Sequence, residues 1–82
     1  MDDQTIFNKI REALECAPRN HYTLELHLQM LKYAGDLNHI TAKEFCEGVG
    51  IRESLGTEFS KMRNLTPRLK AAGLITDLIR PE

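Results

Sequence analysis

Apolar residues recur at helical spacing along most of the chain and divide it into amphipathic segments. Between Asp3 and Ala17 they fall three or four positions apart, which predicts one buried helical face. The residues of that face are Ile6, Phe7, Ile10, Ala13, Leu14 and Ala17. Asp2, Asp3 or Thr5 can cap the start of this helix, and Pro18 is expected to end it.

A second helix is predicted from Thr23, as the N-cap, to Ala34. Gly35 follows at the position where helices often need a left-handed residue. The segment carries two apolar stripes, Leu24/Leu28/Leu31 and Leu26/Met30/Tyr33. Because more than half of its circumference is apolar, we expect this helix to be central.

The next helix begins with a capping box, in which Thr41 precedes Glu44 by three residues. Its apolar positions are Ala42, Phe45, Cys46 and Val49, and Gly50 is expected to end it.

Apolar spacing continues from Leu55 to Leu69, but Pro67 falls inside the pattern. Proline removes a backbone donor and disfavours helical geometry at the preceding residue, so a stop or kink is predicted between Asn64 and Thr66. Thr66 would then cap a short last helix that ends at Gly73. The tail 74–79 is expected to be extended, and either packs on the helices or pairs with a second copy.

These elements predict an all-α fold: a compact four- to five-helix domain with a short extended C-terminal tail. At 82 residues, the chain is expected to be a single domain over 1–82. Its apolar fraction of 41% and charged fraction of 28% are typical of a globular protein. The sequence has no apolar run long enough to span a membrane, and it opens with acidic residues, so we expect a cytoplasmic protein.

Charge is distributed unevenly along the chain. The net charge is −1, yet residues 52–70 hold five Lys/Arg against two Asp/Glu, whereas residues 1–51 hold five against eight. A local excess of positive charge favours a nucleic-acid partner, although the pI of 6.3 is low for such a domain.

Catalytic chemistry is not indicated. Cys16 and Cys46 lack metal-site spacing and are predicted to be buried free thiols. His21, His27 and His39 form no metal-binding or catalytic motif, so we expect them to be solvated or locally hydrogen-bonded. With no nucleophile motif or phosphate loop either, we expect no enzyme activity, no catalytic residue, no metal and no cofactor.

Residues 40–65, ITAKEFCEGVGIRESLGTEFSKMRNL, resemble the helix-turn-helix of bacterial and phage DNA-binding proteins. The matching features are the capped TAKEF, the small Ala42 and Cys46, the turn VGI, and the apolar positions of the second helix. Small residues let two helices cross closely, Gly50 permits the positive φ of the turn, and Ile51 fills the junction. The ESLGTE string is similar to one found in small bacterial helix-turn-helix-like domains. The following LTPRLKAAGLI is similar to the end of a recognition helix in winged-helix regulators, which implies that a wing strand comes next.

The resemblance implies a recognition helix at about 54–64 that enters the major groove. Seven residues are its candidate DNA contacts: Arg52, Gly56, Thr57, Ser60, Lys61, Arg63 and Asn64. Gly56 either lets the backbone approach DNA or admits a neighbouring helix, and Arg68 and Lys70 are taken to solvate the end of the core. The expected partner is double-stranded DNA, bound weakly by one copy and better by a homodimer. The alternative is a protein-interaction or self-assembly module that presents the same helix to an acidic protein.

Overall fold

A computed structural model of the chain describes residues 1–80 and contains four α-helices. They are α1 (Asp3–Cys16), α2 (Tyr22–Tyr33), α3 (Ala42–Val49) and α4 (Gly56–Ala71). Three short 3₁₀ turns lie at Arg19–His21, Glu53–Leu55 and Thr76–Leu78, and no β-strand occurs within residues 1–80. The predicted all-α class is therefore confirmed. No described helix is both long and apolar enough to cross a membrane.

The helix starts that the sequence marked with caps are confirmed at α1 and α3. The carboxylate of Asp2 accepts a hydrogen bond of 2.8 Å from the backbone N–H of Thr5. Thr41 and Glu44 form a complete capping box, in which each side chain accepts from the backbone N–H of the other residue, at 3.1 and 3.0 Å. These bonds satisfy N–H groups that have no partner inside the helix.

The predicted cap residues of α2 were wrong, although the predicted end at Ala34 lies within one residue of the observed one. The helix begins at Tyr22, because the 3₁₀ turn Arg19–His21 leads directly into it, and Thr23 lies inside the first turn. At the other end Gly35 does not have a positive φ. The chain instead keeps turning in right-handed geometry beyond Tyr33, which brings the loop residue Leu37 into the core.

The predicted break at Pro67 was also wrong, because α4 runs without interruption to Ala71. Thr66 does not cap a new helix: its side chain is buried, and its hydroxyl donates a hydrogen bond of 2.7 Å to the carbonyl of Met62. An interior proline costs a helix about 3 kcal/mol. Packing of α4 on α2 and α3 outweighs that cost, since tertiary contacts supply most helix stability. Gly73, with φ of 112°, ends the helix as expected.

The core is built around Phe45 of α3, which is fully buried. Its ring stacks on the ring of Phe59 in α4, with centroids 4.1 Å apart, and meets the ring of Phe7 in α1 edge-on at 6.4 Å. Aromatic pairs in these arrangements add to the stability gained from burial. The three rings therefore join three of the four helices.

The fourth helix, α2, packs on α1, α4 and the C-terminal turn, but each of the other helices also packs on two helices, so α2 is not more central than they are and its predicted central place was wrong. It buries the stripe that contains Leu26, whereas Leu24 in the other stripe stays half exposed. Glu25 and Gln29 are buried instead, joined by a hydrogen bond of 2.7 Å. Two apolar stripes on one helix therefore did not mean two buried stripes.

The C-terminal segment packs on α2 and is not a wing strand. Its 3₁₀ turn at Thr76–Leu78 contacts α2, and Lys32 donates a hydrogen bond of 2.7 Å to the carbonyl of Ile79. The turn packs on α2, but the side chains of Ile75 and Leu78, which were expected either to pack on the helices or to pair with a second copy, are exposed, and the pairing stays a prediction. Pro81 and Glu82, which complete the predicted 1–82 domain, lie outside the described residues.

Candidate nucleic-acid interface

The helix-turn-helix consists of α3, the turn at residues 50–55, and α4. Gly50 adopts a left-handed φ of 85°, and the N–H of Ile51 closes the end of α3 by donating to the carbonyl of Cys46 at 3.0 Å. Ile51 itself packs against the core, as expected for a residue that fills the junction. The turn therefore holds the start of α4 at a fixed angle to α3.

Gly56 lies at the crossing of α3 and α4. It is buried, and a Cβ placed on it would come within 3.2 Å of the Cβ of Ala42. Of the two roles considered for this glycine, the structure supports close packing of the helices. Gly56 does not face outward, and so cannot bring the backbone close to DNA.

Arg63 points toward the core side of α4, although it was predicted to contact DNA. Its guanidinium donates hydrogen bonds to the carbonyls of Ile40, at 2.6 Å, and Leu37, at 3.3 Å. It also lies over the ring of Phe59, 4.6 Å from the centroid. These contacts give Arg63 the role of fastening the loop before α3 to α4.

A row of four exposed polar side chains runs along the outer surface of α4. Its members are Thr57, Lys61, Asn64 and Arg68, spaced four, three and four residues apart. This spacing places all four on one helix face, and at 1.5 Å per residue the row is about 16 Å long. We call it the outer row. Three of its members were predicted from the sequence.

Arg68 was missed as a candidate contact because the helix was expected to end before Pro67. With α4 continuous, Arg68 lies one helical repeat beyond Asn64 on the same face. Lys70 was expected, like Arg68, to solvate the end of the core. It lies instead beside Gly35, in a groove between α4 and the loop after α2. The 4-3-4 spacing from Thr57 to Arg68 was the sequence signal that could have separated the two.

The remaining two candidates flank the outer row. Arg52 is exposed in the turn just before α4, and Ser60 is half buried beside the row. Five of the seven predicted contacts are thus on or next to one surface, whereas Gly56 and Arg63 are not.

Acidic groups near the outer row are partly neutralised by neighbours. Glu58 lies 3.0 Å from the ring Nε2 of His27 and 3.7 Å from the ammonium of Lys61. Because the carboxylate of Glu58 is held toward α2, it repels an approaching phosphate less than a free glutamate would. Glu53 remains exposed in the turn.

Two of the histidines join different parts of the fold. The ring of His39 pairs with Asp3 at 2.8 Å, and His27 pairs with Glu58, so both join different segments of the fold. Among residues 1–80 no group of three His, Cys, Asp or Glu side chains is placed to hold a metal. Cys46 is buried as predicted, but Cys16 is exposed and lines an open groove between α1 and α2.

A protein-family model described as "HTH-like domain" matches residues 2–72, which include all four helices. The match covers most of the chain, so the protein belongs to this family. No curated protein and no solved structure gives a match to this chain.

Proposed function

We propose that this HTH-like domain binds double-stranded DNA, with α4 entering the major groove and the outer row facing the bases and phosphates. The observation that carries the proposal is the outer row itself: four polar side chains on one face of the second helix of the motif. The second helix is the one that reads the groove in helix-turn-helix proteins. We also propose that the domain acts as a small regulator or accessory protein and not as an enzyme.

Each member of the outer row has chemistry suited to a duplex. Lys61 and Arg68 can bond guanine edges or phosphates, and the amide of Asn64 can bond adenine through two hydrogen bonds. The hydroxyl of Thr57 can contact a base or a phosphate. A row of about 16 Å follows roughly five base-pair steps at 3.4 Å each.

Few cations are available, which limits the expected affinity. The outer row supplies Lys61 and Arg68, and Arg52 in the turn adds a third, while Arg63 is held by backbone carbonyls. Each phosphate neutralised adds about 0.9 to the slope of log affinity against log salt. One copy should therefore bind weakly, with a slope of roughly −2 to −3 if all three cations reach phosphates.

A protein-interaction role is the second candidate, and the overall charge favours it. The chain has a net charge of −1 and a pI of 6.3, so its overall charge does not attract DNA. Only the local positive charge of the motif does. In that case the outer row would meet acidic groups of a partner protein. The two candidates differ in whether the row binds a random duplex in the absence of any other protein.

A low-salt shift assay on random duplex tests the proposal. Lys61→Glu and Asn64→Ala replace exposed side chains, so both variants should keep the helical circular dichroism spectrum. Lys61→Glu should abolish retention, and Asn64→Ala should weaken it. Lys9→Glu makes the same charge change on the exposed side of α1 and is the control. If the wild-type chain is not retained, the domain does not bind duplex DNA on its own. If Lys61→Glu and Lys9→Glu behave alike, α4 is not the binding helix.

A further inference from the structure

An exposed apolar surface lies along α2, between α4 and the C-terminal segment. Leu24, Leu28 and Leu31 share one helix face by their i, i+4, i+7 spacing. On one side of this face His27 pairs with Glu58 of α4, and on the other Lys32 bonds the carbonyl of Ile79. The two bordering elements leave Leu24 exposed and Leu28 and Leu31 half-buried.

The bordering elements add apolar side chains of their own. Leu65 and Leu69 lie one turn apart on α4, and Ile75 and Leu78 lie on the C-terminal segment. We call the seven residues the α2 apolar surface: Leu24, Leu28, Leu31, Leu65, Leu69, Ile75 and Leu78.

The exposure of this surface is high for large apolar residues. Leu24 is 51% exposed, Leu65 43%, Ile75 60% and Leu78 64%. Together these four expose on the order of 400 Å², which is within the range of the largest apolar patch on a typical monomer, and such patches are often functional. Full burial of a Leu or Ile side chain is worth about 1.5–3 kcal/mol, so covering the exposed parts of these side chains would favour association.

We propose that the α2 apolar surface is covered by the same surface of a second copy of this chain. A two-fold pair would bury on the order of 800 Å² from the four most exposed side chains alone, and their neighbours bring the total toward the roughly 1,200 Å² of a small specific interface. A two-fold interface must be complementary to itself, and a rim that carries both charges satisfies this requirement. The C-terminal segment supplies them, because Asp77 and Arg80 are both exposed beside Ile75 and Leu78.

Pairing would complete the DNA-binding surface, and in this respect the inference rests on the proposed function. Leu65 lies next in the chain to Asn64 and three residues before Arg68, so the α2 apolar surface adjoins the outer row. Two copies joined there present two outer rows on one assembly. Linked binding makes the second contact effectively intramolecular, which compensates for the few cations of each copy.

Sedimentation equilibrium of the full chain, at concentrations up to about 1 mM, tests the pairing. Wild-type protein should show a monomer–dimer equilibrium. Leu78→Asp and Ile75→Asp should each raise the dimer dissociation constant by about tenfold or more, because each places an unpaired charge in an apolar contact. Asn8→Asp adds the same charge on the exposed side of α1 and should leave the constant unchanged. Circular dichroism spectra should match among all four proteins, and so should melting temperatures measured at protein concentrations well below the wild-type dimer dissociation constant, where dimer formation adds no stability and the altered side chains are exposed.

A monomeric wild-type chain throughout the concentration series overturns the pairing. So does an unchanged dissociation constant in both apolar variants. Duplex binding measured on the same samples separates this inference from the proposed function. If the chain forms a dimer that binds no DNA, the pairing is supported and the proposed DNA binding is contradicted. If it is a monomer that binds DNA, the proposed DNA binding is supported and the pairing is contradicted.

Discussion

The guanidinium of Arg63 donates a hydrogen bond of 2.6 Å to the carbonyl of Ile40, and this contact ties the loop before α3 to the middle of α4. A second bond to Leu37 and the contact with the ring of Phe59 hold the same side chain. Arg63 is therefore positioned to stabilise the motif and not to meet a phosphate. A basic residue near a recognition helix need not belong to its binding face.

Arg63→Ala should lower the free energy of unfolding by about 2–3 kcal/mol, because it removes two charge-assisted hydrogen bonds and a cation–π contact. Urea denaturation measures this loss. Arg63→Lys keeps the charge but lacks the planar guanidinium that lies over the ring of Phe59, and should also lose stability. The salt dependence of DNA binding should be the same in folded Arg63→Lys and wild type. An unchanged stability of Arg63→Ala, together with a weaker salt dependence, would place Arg63 on DNA instead.

Gly48 packs against the ring of Phe7, and a Cβ at this position would overlap the ring. Gly48→Ala should therefore destabilise the protein by about 1–2 kcal/mol, even though alanine is the better helix former. Gly35→Ala is the control, because its Cβ would meet only the ammonium of Lys70, at 3.7 Å. The control should be neutral or slightly stabilising in the same urea series. Equal stability of the two variants would mean that α1 and α3 do not pack as closely as described.

Pro67→Ala should raise the free energy of unfolding by about 1–2 kcal/mol. Alanine restores the backbone N–H and removes the clash inside a continuous α4, although the freer unfolded chain offsets part of the gain. Thermal melting followed by circular dichroism measures the change. If Pro67 began a separate helix, where proline is favourable, the substitution would leave stability unchanged or lower it.

The cap of α3 makes stability depend on pH in the acid range. Hydrogen bonds from the backbone and side chain of Thr41 lower the pKa of Glu44 below its ordinary value of 4.5. Its stabilising effect is therefore fully present above that pH and is lost as the pH falls through the lower pKa of the folded state. Glu44→Gln should lose stability near neutral pH and show a smaller decrease on acidification, as measured by urea denaturation from pH 7 to about pH 3. An identical pH profile in Glu44→Gln and wild type would contradict the role of the cap.

Much of this fold could be predicted because helix starts and ends are set by interactions between residues close in the sequence. The caps at Asp2 and at Thr41–Glu44 satisfy backbone N–H groups within a few residues, and Gly50 ends α3 in the same local way. These features could therefore be predicted from the sequence. Pro67 misled the prediction because its local cost is outweighed by contacts with helices far away in the sequence. The same error hid Arg68, whose place in the outer row depends on a continuous α4.

Residues of the candidate site were predicted correctly only where their position on α4 alone determines that they are exposed. Thr57, Lys61 and Asn64 are exposed because they lie opposite Phe59 on the helix. Gly56 and Arg63 lie on the buried side, and their partners at positions 37, 40 and 42 belong to other elements. The spacing of residues within α4 does not indicate which carbonyl or methyl group of another element a buried residue contacts.

The salt dependence of duplex binding, measured for wild type and for the double variant Lys61→Gln/Arg68→Gln, tests the central claim most directly. The claim is that the outer row of α4 contacts DNA. Wild-type affinity should fall linearly on a log–log plot, and the double variant should bind more weakly with a slope smaller by about two per copy. Both proteins should unfold at the same urea concentration, since both side chains are exposed. Equal slopes for the two proteins, or no binding by wild type at the lowest salt, would contradict the claim.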